Sequence, residues 1–533
     1  MKRSKTRSFF LYSTAAVIFT AFSFNTNAQT QPTPSPRPRV VITDPVEKQT
    51  IAATNPETIA DLRAKLASRM SQPETRRGTV GFKAVSLKTG KVIFEQNADK
   101  YLMPASNMKN LTVATAIEKL SPDFRFITSV YSDQPPSTDG IVHGNVRIYG
   151  RGDVSFSTSF WPDNFYEGLD DLAAAISNAG VKRIDGDLIG DDTYFTGNAL
   201  PNGWEWDDLQ WYYGAEVSAL SLNDNTIGLS VKPGPVGYGC AVRFDPDIVF
   251  FRVRNLCTTT AAGTPRTLAI TKGLERNELI ISGSLPAGNT GFSNNITVSR
   301  PAELFVQLLK DRLALKGIVV TGKTRAIDRS LPPISGQIEI AKLESPPLAV
   351  IAQKTLKPSQ NMYTEVLLRT LGENLRTKML TTSAIRADSS DLGIQAVKDF
   401  LRSIGVADDA YVQYDGSGLS RHDLVTNEAI VRLYVYMAKE SKNTQAWRDA
   451  LTIAGVDGTL KNRFIGTKAV SNVRGKTGTI DQVSALSGYL TTAGGEDVAF
   501  SAIVNGVPTP RTRTSLIDDA VLYLVNYTGK LDD

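Results

Sequence analysis

Cysteine and histidine are nearly absent from this 533-residue chain, which has only Cys240, Cys257, His143 and His422. Two isolated histidines do not make a metal centre, and neither has a neighbourhood suited to a Ser-His-Asp triad. The Gly-x-Ser-x-Gly elbow of serine esterases is missing as well. Long apolar runs are scarce. After the run Phe9 to Phe24, no segment is long enough to span a bilayer. Excess charge is scarce too. The formal net charge is +5, and Lys2, Arg3, Lys5 and Arg7 are the only charges in the first 28 residues, so the remainder carries +1. That excludes the electrostatic footprint of a nucleic-acid binder. No internal repeat is evident.

The four cations precede the short apolar run, and Thr26-Asn27-Ala28 supplies small residues at the −3 and −1 positions. This reads as a secretory signal peptide over residues 1–28, cleaved after Ala28. The rival reading, an uncleaved anchor, meets a run short for a bilayer span, so membrane association is at most peripheral. The expected location is therefore periplasmic or otherwise extracytoplasmic. In such an oxidising compartment, two cysteines 17 positions apart most simply form one local structural disulfide.

Residues 29–54 begin with the proline-rich stretch QTQPTPSPRPR, an extended linker. Asn55-Pro56-Glu57 reads as a helix start, with Ile59, Leu62, Leu66 and Met70 on one face. Two alternating strands follow, Thr79 to Leu87 and Lys91 to Glu95, turning at Lys88-Thr89-Gly90. From Phe126 to about Ala341 the chain turns to short strands, glycines and an aromatic run (Trp204, Trp206, Trp211, Tyr212, Tyr213). This region, 126–341, reads as an insertion of one or two nested modules. The outer part covers about 126–198 and 298–341, and the inner part about 199–297 with both cysteines. Residues 56–125 and 342–533 then form one catalytic domain. Its helices at both ends and strands between them predict a sheet covered by helices, an α/β (α+β) fold.

The chemistry starts at Pro104-Ala105-Ser106-Asn107-Met108-Lys109, the only Ser-x-x-Lys in the chain. Positions i and i+3 share a helical face, so Lys109 can take the proton of Ser106 if burial keeps it partly neutral. Backbone N–H groups at the helix start point where an oxyanion would form. Ser-x-Asn supplies a hydroxyl and an amide for a proton relay and occurs at Ser23, Ser221, Ser293, Ser359 and Ser441. Only Ser359-Gln360-Asn361 lies at a turn between two apolar helical stretches, where a helix cap is the competing role. Lys-Thr-Gly occurs at Lys88, where it makes a hairpin turn, and at Lys476-Thr477-Gly478-Thr479 ahead of a strand. There a lysine and hydroxyls can bind a carboxylate, and Gly478 lets a substrate backbone approach.

Ser-x-x-Lys, Ser-x-Asn and Lys-Thr-Gly in that order are shared by class A β-lactamases and penicillin-binding proteins. The 253 positions between Ser106 and Ser359 are too many for a compact β-lactamase and match the insertion. The chain resembles the class C low-molecular-mass penicillin-binding proteins, the D-Ala-D-Ala carboxypeptidase/endopeptidase family. Gly203-Trp204, Trp211-Tyr212-Tyr213-Gly214-Ala215, Ser218-Ala219-Leu220 and Asp415-Gly416-Ser417-Gly418-Leu419-Ser420-Arg421 support it. Gln360 departs from the usual aspartate, and Val154 from the usual proline after Gly152-Asp153.

The resemblance implies a β-lactamase/transpeptidase-like antiparallel sheet covered by helices, with a β-rich insertion. It implies a serine-type peptidase acting on peptidoglycan stem peptides and acylated by β-lactams, without a metal or organic cofactor. Ser106 would be the nucleophile, Lys109 the base and Ser359 the proton relay. Asn361, Lys476, Thr477, Gly478 and Thr479 would hold the substrate. Arg421 and Asp153 are candidates, cationic and anionic, for reading a substrate side chain at the cleft rim. The alternatives are a β-lactamase-like hydrolase and a non-catalytic cell-wall or β-lactam-binding protein.

Overall fold

The computed structural model describes residues 57–327, 336–379 and 387–530. The signal peptide and proline-rich linker lie outside them. The first helix, α1 (Ile59–Met70), begins later than the Asn55-Pro56 signal suggests. Thr58 and Asp61 close a capping box, with Asp61 N donating to Thr58 Oγ1 at 3.2 Å and Thr58 N to Asp61 Oδ2 at 3.0 Å. That pair satisfies the free amides of the first turn, so the helix starts there. The hairpin β1 (Thr79–Ser86) and β2 (Val92–Gln96) follows, then α2 (Lys109–Leu120).

The chain then leaves for the insertion, which carries α3 (Glu167–Asn178) and α4 (Pro301–Leu315). It returns through α5 (Leu348–Leu356), α6 (Asn361–Arg376), α7 (Ser389–Ser403), α8 (Asn427–Lys439) and α9 (Thr444–Ala450). The last elements are β3 (Thr452–Ile453), β4 (Arg474–Ile480), β5 (Val483–Thr491), β6 (Asp497–Asn505) and α10 (Pro510–Asn526).

The six strands form one sheet in the order β2-β1-β6-β5-β4-β3, every neighbour antiparallel. The N-terminal hairpin thus packs beside strands more than 400 residues away. Both faces are covered. Leu486, Leu490, Phe500 and Val504 join Leu62, Leu66, Leu516 and Leu524 of α1 and α10 in one core. Their alternates Ala485, Tyr489, Ala499 and Ile503 join Leu111, Val113, Ile351 and Leu433 in a second, under the helical layer. Strands covered on both sides favour apolar residues on both faces, so β5 and β6 read as largely apolar runs, broken by the buried Ser487 and Ser501 that hydrogen-bond each other at 2.9 Å.

The insertion leaves and returns side by side, because Ile127–Ser132 and Ile338–Glu344 pair antiparallel. These two strands, with Val146–Tyr149, Leu188–Asp191 and Thr324–Ala326, make a five-stranded mixed sheet. Smaller sheets lie between Thr226 and Thr297. There Cys240 and Cys257 are joined, Cα to Cα 5.4 Å. Both sit in a core distinct from those of the main sheet, which includes Leu229, Ile281, Phe305 and Leu309. Among the described residues no helix is long and apolar enough to cross a membrane.

Candidate active site

Ser106 stands on a single 3-10 turn, Ala105–Met108, and Lys109 is the first residue of α2. The turn enters at Ala105 with φ +47°, a left-handed conformation that lifts Ser106 out of the helix and into the cleft. Two glycines let other chain segments press against it. A Cβ on Gly478 of β4 would sit 2.5 Å from the carbonyl of Pro104. One on Gly418, itself at φ +79°, would sit 1.9 Å from that of Ala105. Gly478 of the third motif therefore serves close packing of β4 onto the serine turn.

Lys109 is fully buried. Its Nζ lies 3.0 Å from Ser106 Oγ and donates to Asn361 Oδ1 at 2.6 Å and to the carbonyl of Ser417 at 2.8 Å. Burial brings its pKa down to about 8, against the opposing charges of Asp415, Glu365 and Asp423. About one amine in ten is then neutral at pH 7, far more than for an ordinary lysine, and the neutral form is the one a general base needs. The three carboxylates under it do not all ionise. Burial, and then the charge of Asp415, pushes Glu365 up to about 8 and Asp423 well above the usual carboxylate range.

Ser359 lies between α5 and α6 with φ +67°. It does not cap α6. Gln360 holds the cap position and makes no side-chain cap bond, while Ser359 Oγ accepts from Lys476 Nζ at 2.8 Å. Lys476, on β4, is fully buried and also donates to the carbonyl of Thr477 at 2.8 Å. Burial, then the charge of Lys109, holds its pKa well below that of an ordinary lysine. Asn361 Nδ2 donates to the carbonyl of Tyr213, so the insertion touches the second motif directly. Asn107 Nδ2 ties the serine turn to the carbonyl of Lys476 at 3.1 Å. Ser106, Lys109, Ser359, Asn361 and Lys476 therefore form one connected cluster from three distant segments.

A cleft of about 930 Å³ opens over this cluster, lined by Ser106, Ser359, Asn361, Thr477 and Thr479 among others. Arg421 lines it too, with its Nε 2.8 Å from Glu205 of the insertion. Asp153 does not stand at the rim, contrary to the sequence expectation. A bridge to Leu220 folds it inward, and it is only 2% exposed. Its Oδ1 accepts from Ser155 N, and burial raises its pKa to about 6. Several cleft residues carry no motif. Arg463, Arg513 and Thr459 line the cleft, Thr459 Oγ1 accepting from Thr477 Oγ1 at 2.7 Å, and Asp224 comes from the insertion. Trp204, in the aromatic run, donates from Nε1 to Asp415 Oδ2 at 2.8 Å.

A helix-covered antiparallel sheet with a buried lysine hydrogen-bonded to a cleft serine, and a second serine–lysine pair across the cleft, defines a penicillin-recognising serine enzyme. Residues 62–524 match the D-Ala-D-Ala carboxypeptidase 3 (S13) family, and the chain belongs to that family. It is 31% identical over 512 residues to a D-alanyl-D-alanine carboxypeptidase of Actinomadura sp. (strain R39), covering 92% of this chain and 90% of that one. It is 28% identical over 449 residues to the D-alanyl-D-alanine carboxypeptidase DacB of Haemophilus influenzae, covering 83% and 88%. The crystal structure of penicillin binding protein 4 (dacB) from Haemophilus influenzae superposes with a TM-score of 0.73 at 26% identity. It covers 88% of this chain and 100% of that one. A β-lactam complex of the same protein has also been solved. The chain is a serine peptidase of the carboxypeptidase type.

Proposed function

We propose that Ser106 attacks the carbonyl of a D-Ala-D-Ala bond in a peptidoglycan stem peptide, with Lys109 as general base. The observation that carries this reading is the buried Lys109 amine 3.0 Å from Ser106 Oγ. Ser359, bonded to Lys476, passes the proton to the departing amine. Asn361 orients Lys109 and the substrate amide. Thr477 and Thr479 line the cleft where the terminal carboxylate docks, with the Lys476 charge behind them. The amides of Ser106 and Thr479 stabilise the oxyanion, and water then hydrolyses the acyl-enzyme. β-Lactams acylate the same serine and leave slowly, because the opened ring stays tethered. The enzyme works outside the cytoplasm, following an N-terminal secretory signal, with Cys240 and Cys257 oxidised.

Digestion of purified muropeptides with mass-spectrometric readout tests the reading. Loss of terminal D-Ala, abolished in Ser106→Ala, supports it, and cleavage of cross-linked dimers adds endopeptidase activity. Intact substrates overturn it.

A further inference from the structure

Asn223, Asp224 and Asn225 have φ of 44°, 58° and 55°. Three successive residues with side chains thus occupy the left-handed region, which such residues visit singly rather than in runs. Backbone strain of this kind persists only where the surroundings over-determine it. Here all three side chains are tied. Asn223 Oδ1 accepts from Thr158 Oγ1 at 2.9 Å, and Asn225 Nδ2 donates to the carbonyl of Glu216 at 2.8 Å. Between them, Asp224 is carried from the insertion into the wall of the catalytic cleft.

Its carboxylate there collects donors from two sides. From the insertion, Ser157 Oγ donates to Oδ1 at 2.7 Å and Ser159 Oγ to Oδ2 at 3.4 Å. From the catalytic domain, Tyr363 OH donates to Oδ1 and Gln360 Nε2 to Oδ2 at 3.0 Å. Gln360 is the middle residue of Ser359-Gln360-Asn361, and Tyr363 lies on the first turn of α6. The turn thus held is itself left-handed at Ser359.

We propose that Asp224 is a positioning residue for the second motif: its carboxylate, acting through Gln360 and Tyr363, fixes the turn that presents Ser359 to Lys476 and Asn361 to Lys109. The proposal rests on the roles given above to Ser359 and Asn361. The pairing also explains a departure in the motif. With a carboxylate already at 224, an aspartate at 360, one methylene shorter than glutamine, would still bring a second carboxylate within about 4–6 Å, where like charges disfavour ionisation of both. Glutamine supplies a donor instead. Tyr363 is the one titratable group bonded to Asp224 among the described residues, and the other three donors are neutral.

The test follows acylation of the full chain by a fluorescent penicillin between pH 6 and pH 9, each variant expressed as a ratio to wild type at the same pH. Gln360→Asp is expected to fall at least tenfold below wild type at pH 8 and to recover toward it at pH 6, where the two carboxylates share a proton. Asp224→Asn with Gln360→Asp restores one donor and one carboxylate, so its ratio is expected to be flat and within about threefold of wild type. A flat ratio near one for Gln360→Asp overturns the proposal, and so does a double variant no better than the single. If Gln360→Asp does not fold, recovery of a folded, labelled double variant supports the proposal and non-recovery overturns it. Ser359→Ala is run alongside. Its acylation at the wild-type rate would overturn the role of the turn itself, and with it any role for Asp224.

Discussion

Lys109 Nζ sits 3.0 Å from Ser106 Oγ with no water-accessible surface of its own. An amine in that position is a base only when neutral, and burial has already brought its pKa to about 8. The sign follows directly. As pH rises toward 8 the neutral fraction grows and acylation accelerates, and above 8 it levels off. At pH 6 the rate is expected to be roughly 100-fold below the plateau. Stopped-flow acylation by a chromogenic β-lactam across this range checks it, and a pH-independent rate would exclude Lys109 as the titrating base. Ser106→Ala is expected to abolish covalent labelling. Lys109→Ala is expected to slow acylation by roughly 10²–10⁴-fold.

Lys476 poses the opposite electrostatic problem. Its amine is buried against neutral acceptors only, Ser359 Oγ and the carbonyl of Thr477, and its pKa is well below the ordinary value. A substrate carboxylate entering beside Thr477 supplies the missing counter-charge and raises that pKa. Binding of a carboxylate ligand is therefore expected to raise the protonated fraction of this amine and so to take up protons. Titration calorimetry of Ser106→Ala with a D-Ala-D-Ala peptide, in buffers of different ionisation enthalpy, measures this. A matching peptide amide should show less uptake, and equal values for both would place the charge elsewhere.

The Cys240–Cys257 bond closes a 17-residue separation inside the insertion, remote in sequence from every motif. Loop closure of that size is worth about 3 kcal/mol. Reduction or the double serine variant is expected to lower the stability of the insertion by about that amount. Thiol titration of the denatured, periplasmically expressed protein checks the bond itself, where two free thiols would refute it. The same sample gives the mature N-terminus, expected at Gln29.

Much of the site was legible because its residues lie in short local patterns. Ser106 and Lys109 are one helical turn apart, and Lys476 to Thr479 run along one strand edge. Strands β5 and β6 and helix α10 announced themselves through apolar runs and a stripe of Leu516, Ile517, Ala520 and Leu524. What the sequence hid are contacts made across hundreds of positions. Asp224 meets Gln360, Trp204 meets Asp415, and Tyr213 meets Asn361 only after the insertion folds back onto the cleft. Asp153 misled for a related reason. A turn of Gly-Arg-Gly-Asp reads as exposed, but the bridge to Leu220 buries it. The left-handed φ values at Asn223 to Asn225 had one faint signal, a run of Asn and Asp, the residues that tolerate that conformation best.

Arg421 carries the remaining question, how the enzyme reads a substrate beyond the scissile bond. In the proposed mechanism the motifs engage the substrate backbone and terminal carboxylate and leave the rest of a stem peptide unspecified. Arg421 ends the Asp415–Arg421 loop, whose Ser417 carbonyl holds Lys109, and its side chain lines the cleft. It is partly engaged already: Nε meets Glu205 at 2.8 Å, and a terminal nitrogen donates to the carbonyl of Asp481 at 3.2 Å. Such a solvent-facing pair is worth about 0–1 kcal/mol, so a substrate carboxylate can displace Glu205 at little cost. A planar guanidinium then offers two parallel donors, a geometry no lysine reproduces. Arg421→Ala is therefore expected to lower kcat/KM by about tenfold or more on a stem peptide whose third residue bears a side-chain carboxylate, such as diaminopimelate. On the lysine counterpart it should change little. Glu205→Gln, which frees the guanidinium, should leave the first substrate unharmed. Equal losses of Arg421→Ala on both substrates, or on neither, would move side-chain recognition to another part of the cleft.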